Sequence, residues 1–317
     1  MSDCQMCGTR HPGEPEECPE VRIGETINGK YKLGPLLGVG GMAAVYTAEH
    51  LMLRREIALK VLHKRFASDA ELGSRFVREA RETAALGGTA FVSVHDAGTT
   101  EDGCAFIEMG RLDGKDLYTI RKAEGTLDPM RVVHIAIGVL GALEALHARR
   151  VIHRDLKSAN VYLVNDPQGG DEQVKILDLG FAKADDELKL TNRNQLLGTP
   201  FYISPEQYTD PTSVDVRADL FSLGVVMFEV LTGKWPYTYK SKRELLAKVM
   251  KGELERHPAR LRPEIPGWVD LAVARALAHD REKRFASATE MREVLETGEH
   301  VAPPQKPSFL RRILGRT

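Results

Sequence analysis

The order of patterns along the chain predicts an α+β protein, with a small β-rich part first and a larger, mainly helical part after it. Lys30 to Val61 holds short apolar runs broken by glycines, the texture of strands and turns. From about Asp128 onward, apolar residues recur at helical spacing over 128–149, 216–232, 241–251, 267–278 and 287–296. Two strand-like pieces, 160–164 and 174–177, interrupt that helical texture.

Between the two parts, Ser68 to Leu86 has apolar residues at helical spacing with Arg and Glu among them, which predicts one helix inside the β-rich part. Residues 1–20 form a distinct segment of cysteines, three prolines and five acidic residues, with almost no large apolar side chains. The tail from Val301 is Pro-rich and then basic, and reads as lying outside the core.

A chain of 317 residues with 42% apolar side chains can bury a sizeable core. Its 44 basic and 45 acidic residues nearly cancel, which removes the electrostatic case for nucleic acid. The first twenty residues are polar and acidic and do not read as a secretory signal. No apolar run reaches the roughly 18 residues of a membrane span. The nearest, Val132 to Leu146, carries His134 and Glu144 and reads as a largely buried helix. Three of the four cysteines, Cys4, Cys7 and Cys18, cluster at one end, with Cys104 far away. That is unlike a secreted disulfide framework and fits a reducing cytoplasm, with a metal site as one use of the cluster.

The chemistry starts with Gly38-Val39-Gly40-Gly41-Met42-Ala43-Ala44-Val45, between two strand-like runs. Glycines let a backbone fold over phosphates and offer them N–H groups. Alone, a plain hairpin turn accounts for this stretch better. On the next run, Ile57-Ala58-Leu59-Lys60-Val61 sets one lysine among apolar residues, where it is costly unless paired. It is either an edge lysine facing water or a cation held for phosphates. Glu79, on the following helix, is a carboxylate partner for it, although any surface helix has glutamates.

The specific signal is His153-Arg154-Asp155-Leu156-Lys157-Ser158-Ala159-Asn160, after a long apolar helix and before a strand. Asp178 follows within Leu177-Asp178-Leu179-Gly180. Two carboxylates and an amide suit a hydroxyl nucleophile and Mg²⁺, which wants oxygen ligands.

With that octet, the glycine loop and Lys60, the chain resembles the eukaryotic-like protein kinases and, within them, the bacterial serine/threonine kinases. The resemblance runs from about Tyr31 to Leu295. It implies the two-lobed protein kinase fold over 30–297, with a small lobe 30–109, a hinge 110–114 and a large lobe 115–297. It implies an enzyme that moves the γ-phosphoryl group of ATP onto protein serine or threonine, with Mg²⁺.

By the same resemblance the loop Gly38 to Val45 covers the ATP phosphates, through Gly38, Val39, Gly40, Gly41 and Val45. Ala58 lines the nucleotide site. Lys60 contacts the α- and β-phosphates and pairs with Glu79. Asp155 orients the substrate hydroxyl and accepts its proton. Lys157 steadies the γ-phosphate, and Asn160 and Asp178 hold Mg²⁺. Met109 guards the back pocket, the backbone of Gly110 and Leu112 meets the adenine edge, and Asp116 meets the ribose.

Further on, Ser204-Pro205-Glu206 stands where the family has Ala-Pro-Glu, and Arg284 resembles its arginine partner. Asp219 resembles the helix aspartate that braces the catalytic loop. Lys157 and Thr199 fit the serine/threonine branch. Arg154 before Asp155 implies switching by phosphorylation between Asp178 and Glu206, and Thr191 is the expected phosphosite, filled in trans within a homodimer. Two residues depart from the pattern: Ala43 replaces a glycine and Leu179 a phenylalanine. Neither removes a charged participant.

The rival readings are a pseudokinase scaffold, a small-molecule kinase and a zinc-ribbon nucleic-acid binder. The first predicts damage at Lys60, Asp155, Asn160 or Asp178, all of which are intact. The second lacks the long segment ending in Pro-Glu and the Arg284 partner. The third conflicts with the balanced charge.

At the two ends, Cys4-Gln5-Met6-Cys7-Gly8 with His11 and Cys18 resembles half of a zinc ribbon. Zn²⁺ on Cys4, Cys7, His11 and Cys18 is one reading and a metal-free remnant is the other, since Val21 stands where a fourth cysteine is expected. Within the tail 298–317, Phe309 to Arg316 is a short basic amphipathic stretch. It reads either as a solvated tail or as a weak contact with an anionic membrane.

Overall fold

The computed structural model describes residues 18–166, 170, 172–179 and 200–298. They form two compact units, one of residues 18–115 with 162–179 and the other of residues 116–161 with 200–298. The stretch carrying Asp178 belongs to the first unit.

In the first unit, β1 (Thr26–Ile27), β2 (Tyr31–Val39), β3 (Ala43–His50), β4 (Arg55–Leu62), β5 (Val94–Thr99) and β6 (Ala105–Gly110) make an antiparallel sheet ordered β1-β2-β3-β4-β6-β5. Side chains alternate across it. One face buries Tyr31, Tyr46, Ile57, Leu59 and Phe106. The other buries Leu62, Ala105 and Ile107 beneath α1 (Ala70–Leu86), whose Phe76 packs with them. Asp69 caps α1 by accepting from the Leu72 N–H at 2.9 Å, and the helix ends at Gly87 with φ of 62°. A smaller sheet, β7 (Gly114–Asp116), β8 (Val161–Val164) and β9 (Gln173–Ile176), completes this unit apart from the boundary residues Asp116 and Val161. β5 escaped the sequence reading because all six of its residues stay at least partly exposed, so it shows no apolar alternation.

Cys18 and Pro19, upstream of the Lys30 boundary, are buried. Cys18 is 1% exposed, Pro19 opens a short 3₁₀ turn, and the Tyr46 hydroxyl donates to the Pro19 carbonyl at 2.8 Å. Glu108, 2% exposed, accepts from the Tyr31 hydroxyl at 2.7 Å and from Arg55 at 2.8 Å. Those partners satisfy a charge that would be expensive to bury alone. Burial first, then Glu108 and Asp96, push the Tyr31 hydroxyl pKa far above its ordinary value.

The second unit is helical: α2 (Leu117–Glu124), α3 (Pro129–His147), α4 (Pro205–Thr209), α5 (Arg217–Thr232), α6 (Lys242–Lys251), α7 (Gly267–Ala276) and α8 (Ala288–Thr297). Several starts carry a side-chain cap. Asp128 accepts from Met130 and Arg131 ahead of α3, Ser241 caps α6 and Ser287 caps α8. α5 is apolar nearly all round and buried along its length, as a central helix must be. α3 is long and apolar enough to cross a membrane by length and composition, but half of its residues are buried, and it packs on α8 and α5. The sequence marked out five of these helices, α3, α5, α6, α7 and α8, with boundaries within two residues of the structure, and did not mark α2 or α4.

Candidate active site

In the first unit the site is built on the β2–β3 turn and on β4. The turn Gly40-Gly41-Met42 joins two strands and is tied down from β4. The His63 ring meets the Gly40 carbonyl at 2.8 Å, the His63 N–H donates to the Met42 carbonyl at 2.9 Å, and Arg65 donates to the Gly41 carbonyl. Gly38, Gly40 and Gly41 all keep negative φ, so the turn itself does not require glycine. A Cβ added at Gly38 or Gly41 would meet nothing within 4 Å, so glycine there leaves the backbone open to close approach by a ligand. Ala43, at the third glycine of the pattern, is 7% exposed, and its methyl belongs to the core under α1.

Antiparallel register sets Val45 opposite Lys60 and Ala58 opposite Met109. Lys60 Nζ bonds Asp178 Oδ1 at 2.7 Å and lies 4.0 Å from Glu79 Oε1. The expected Lys60–Glu79 pair is thus at the limit of an ion pair, and Asp178 makes the direct bond. Leu179, next to it, is 2% exposed and fills an apolar spot. The Gly110 N–H already donates to the Ser93 carbonyl at 2.9 Å. A Cβ at Gly110 would come within 2.4 Å of Ser93 Oγ. Leu112 is half-buried.

In the second unit, Asp219 sits near the start of α5 at 0% exposure. It accepts from the backbone N–H of His153 and of Arg154 at 2.9 Å each, and meets the His147 ring at 2.8 Å. This clamp holds Arg154 in the left-handed region, φ 62°, unusual for a residue with a side chain. Past the bend, Lys157 Nζ donates to Asp155 Oδ2 at 2.9 Å. Asn160, 4% exposed, donates its amide to the Asp155 carbonyl at 3.0 Å, which turns its oxygen away from that bond. Asp116 caps α2, accepting from the N–H and hydroxyl of Thr119 at 2.9 and 2.6 Å, so its ribose role would be added to a structural one.

A family model described as the protein kinase domain matches residues 31–297. This chain belongs to that family. It is 36% identical over 289 residues to the serine/threonine-protein kinase PknB of Mycobacterium tuberculosis, covering 90% of this chain and 45% of PknB. It is 37% identical over 277 residues to the probable serine/threonine-protein kinase SCO3848 of Streptomyces coelicolor, covering 85% and 40%. The kinase domain of M. tuberculosis PknI superposes with a TM-score of 0.65 at 27% identity, covering 87% of this chain and 99% of that one. The fold is therefore the protein kinase fold, in the bacterial serine/threonine branch. The chain spans less than half the length of the curated relatives it matches.

In kinase terms, the bond of Asp219 to the catalytic-loop backbone is the brace the sequence pointed to. The Glu206–Arg284 pair is formed bidentately at 2.6 and 2.9 Å, with Arg284 also donating to the carbonyls of Ala278, Arg217 and His279. Sequence reasoning missed Tyr202, whose hydroxyl bridges Ser158 Oγ in the catalytic loop and buried Glu229, both at 2.8 Å. It also missed Gln207, which donates to the Arg154 carbonyl at 3.0 Å. No local pattern marks these contacts, because the partners lie 27 to 53 positions away. Burial, then Glu229, raises the Tyr202 hydroxyl pKa far above its usual value, and burial raises that of Glu229. Tyr202→Phe leaves Glu229 and Ser158 each short of a partner, so chemical denaturation should report a loss of about 1–3 kcal/mol.

Cys4, Cys7, His11, Thr191, Thr199 and the tail Phe309 to Arg316 lie outside the described residues. Among the described residues no group of three or more His, Cys, Asp or Glu could hold a metal ion.

Proposed function

We propose that this chain is an active serine/threonine protein kinase, transferring the γ-phosphoryl group of ATP to protein hydroxyls. The observation that carries this is the catalytic loop, where a backbone clamp from Asp219 sets Asp155 and Lys157 with their charges 2.9 Å apart. The substrate hydroxyl oxygen forms a bond to the γ-phosphorus while the bond to the bridging β–γ oxygen breaks and ADP departs. The hydroxyl proton passes to the Asp155 carboxylate. Lys157 stands beside that carboxylate, where a cation also balances charge on the transferring group. Lys60 offers its cation to the α- and β-phosphates, and the open backbone at Gly38 and Gly41 lets the loop approach them.

The residues fit Mg²⁺ by donor chemistry: Asp178 offers a carboxylate and Asn160 an amide oxygen, the hard oxygen donors that ion takes. When bound, Mg²⁺ supplies charge neutralisation for the phosphates.

Within this reading, Thr191 is phosphorylated in trans by a second copy, and Arg154 receives the new phosphate. Proteins are the substrates and the cytoplasm is the compartment. The pseudokinase alternative requires that the same residues only bind. Purified protein incubated with labelled ATP and Mg²⁺ should label serine or threonine, stop on chelation of Mg²⁺, and show a lag that lengthens in Thr191→Ala. ATP bound with no label transferred to any protein would rule out the enzyme and leave the scaffold.

A further inference from the structure

An aromatic row runs across the second unit from the catalytic loop to the start of α6. The Tyr202 hydroxyl is 2.8 Å from Ser158 Oγ, three residues from Asp155. Tyr202 meets Trp235 edge to face, with ring centres 5.1 Å apart. Trp235 stacks on Phe201 at 4.6 Å, and the Phe201 ring centre is 5.2 Å from that of Tyr239. Phe201 and Trp235 are half-buried and Tyr239 is 38% exposed. Beneath the row, Leu245 and Val249 of α6 pack with buried Tyr237.

Cations collect where the row ends. From Lys234 to Lys251 the sequence holds six basic residues and one acidic, in a chain whose net charge is -1. The carboxylates around α6 are engaged. Glu244 bonds Lys248 at 3.3 Å and accepts from the Lys240 N–H at 2.8 Å. Glu253 lies 4.0 Å from Lys251, and Glu255 bonds Arg260 at 3.2 Å. Two carboxylates have no cation. Asp210, at the end of α4, accepts from the Thr212 hydroxyl at 2.6 Å. Asp280 follows His279, which packs at the far, Gly252 end of α6. Lys234, Lys240 and Arg243 are exposed and have no ion-pair partner among the described residues. Around the start of α6 these three cations therefore outnumber Asp210.

We propose that this surface receives an acidic stretch of the protein substrate, with Lys234, Lys240 and Arg243 facing its carboxylates. The proposal names a substrate class for the kinase reading and rests on that reading. Unpaired surface cations select and steer an anionic partner. Phe201 and Trp235 turn ring faces to each other, so the surface lacks the successive free rings on which nucleic-acid bases stack. Continuity with Ser158 puts the cations on the path of a chain whose hydroxyl sits at Asp155. The row spans about 15–20 Å, which an extended peptide covers in about five or six residues.

The test uses the full chain and measures binding without ATP and transfer with it. The probes are fluorescent peptides with one central threonine and four flanking residues, all Glu or all Gln, starting about five positions to either side. At low salt the Glu peptide should bind about tenfold more tightly, and the difference should fade by about 0.5 M salt. It should also show the lower KM in transfer. Lys240→Glu/Arg243→Glu should lose this preference and favour a Lys peptide instead. Lys240→Gln/Arg243→Gln should lose it without gaining the new one. Equal binding of the Glu and Gln peptides by the parent would overturn the proposal, as would a preference that survives the double reversal. So would peptides left unbound while polyuridylate or phosphatidylserine vesicles bind the parent and not the double reversal. Charge-selective binding with no transfer would keep the acidic partner and overturn the kinase reading that makes it a substrate.

Discussion

Asp155→Asn is expected to slow phosphoryl transfer by roughly two to four orders of magnitude, the usual worth of a positioned general base. It should do so without unfolding the protein. The substitution keeps the shape of the side chain and an oxygen for Lys157 to bond at the present 2.9 Å. The loop conformation is set by the backbone N–H groups of His153 and Arg154 on Asp219, which the change does not touch. ATP affinity should stay within a few fold, because Lys60, the cation proposed for the phosphates, belongs to the other unit. Steady-state kinetics should therefore lose kcat, with KM for ATP and the melting temperature near those of the parent. Retained kcat would remove Asp155 from the chemistry. A large fall in melting temperature would instead mean that the charge holds the loop.

Charged residues in fixed local patterns were legible, and residues defined by distant partners were not. His153 to Asn160 could be read because the loop packs several participants into one octet. Asp219 and Arg284 could be read through their resemblance to the family, and in the structure Asp219 accepts from the Arg154 N–H and Arg284 donates to Glu206. Tyr202 could not, since its partners are 44 and 27 positions away, and Gln207 shows locally only its capping box with Ser204, not its bond to Arg154. The role of the glycines was read only in part. They keep the loop open to approach, but no left-handed turn demands them. Ala43 looked like a departure from the phosphate loop. In the sheet it is the first residue of β3, where a methyl packs better than a glycine would. The stretch Cys18 to Ile27 was invisible for another reason. Its 3₁₀ turn and two-residue strand have no periodicity, and only contact with Tyr46 and β2 reveals them.

Arg284→Ala should destabilise the second unit by about 3–5 kcal/mol, the range for removing one partner of a buried ion pair. The side chain is 0% exposed and Glu206 is 11% exposed, so water cannot take over for the carboxylate. Three backbone carbonyls, those of Ala278, Arg217 and His279, lose their donor as well. The guanidinium also stands 4.8 Å from the centre of the Phe221 ring, so a contact with the core of α5 disappears too. Thermal unfolding should move down on the order of 10 °C. Arg284→Met with Glu206→Leu should cost less than the sum of the two single changes, because the orphaned charge goes with its partner. Strict additivity in that cycle would mean that the pair contributes nothing as a pair. The effect should extend to function through one further bond. Glu206 lies in the first turn of α4, and its neighbour Gln207 holds the Arg154 carbonyl at 3.0 Å, one residue from Asp155. Loosening α4 therefore loosens the catalytic loop at the substrate end, and Arg284→Ala protein that remains folded should show a raised KM for protein substrate.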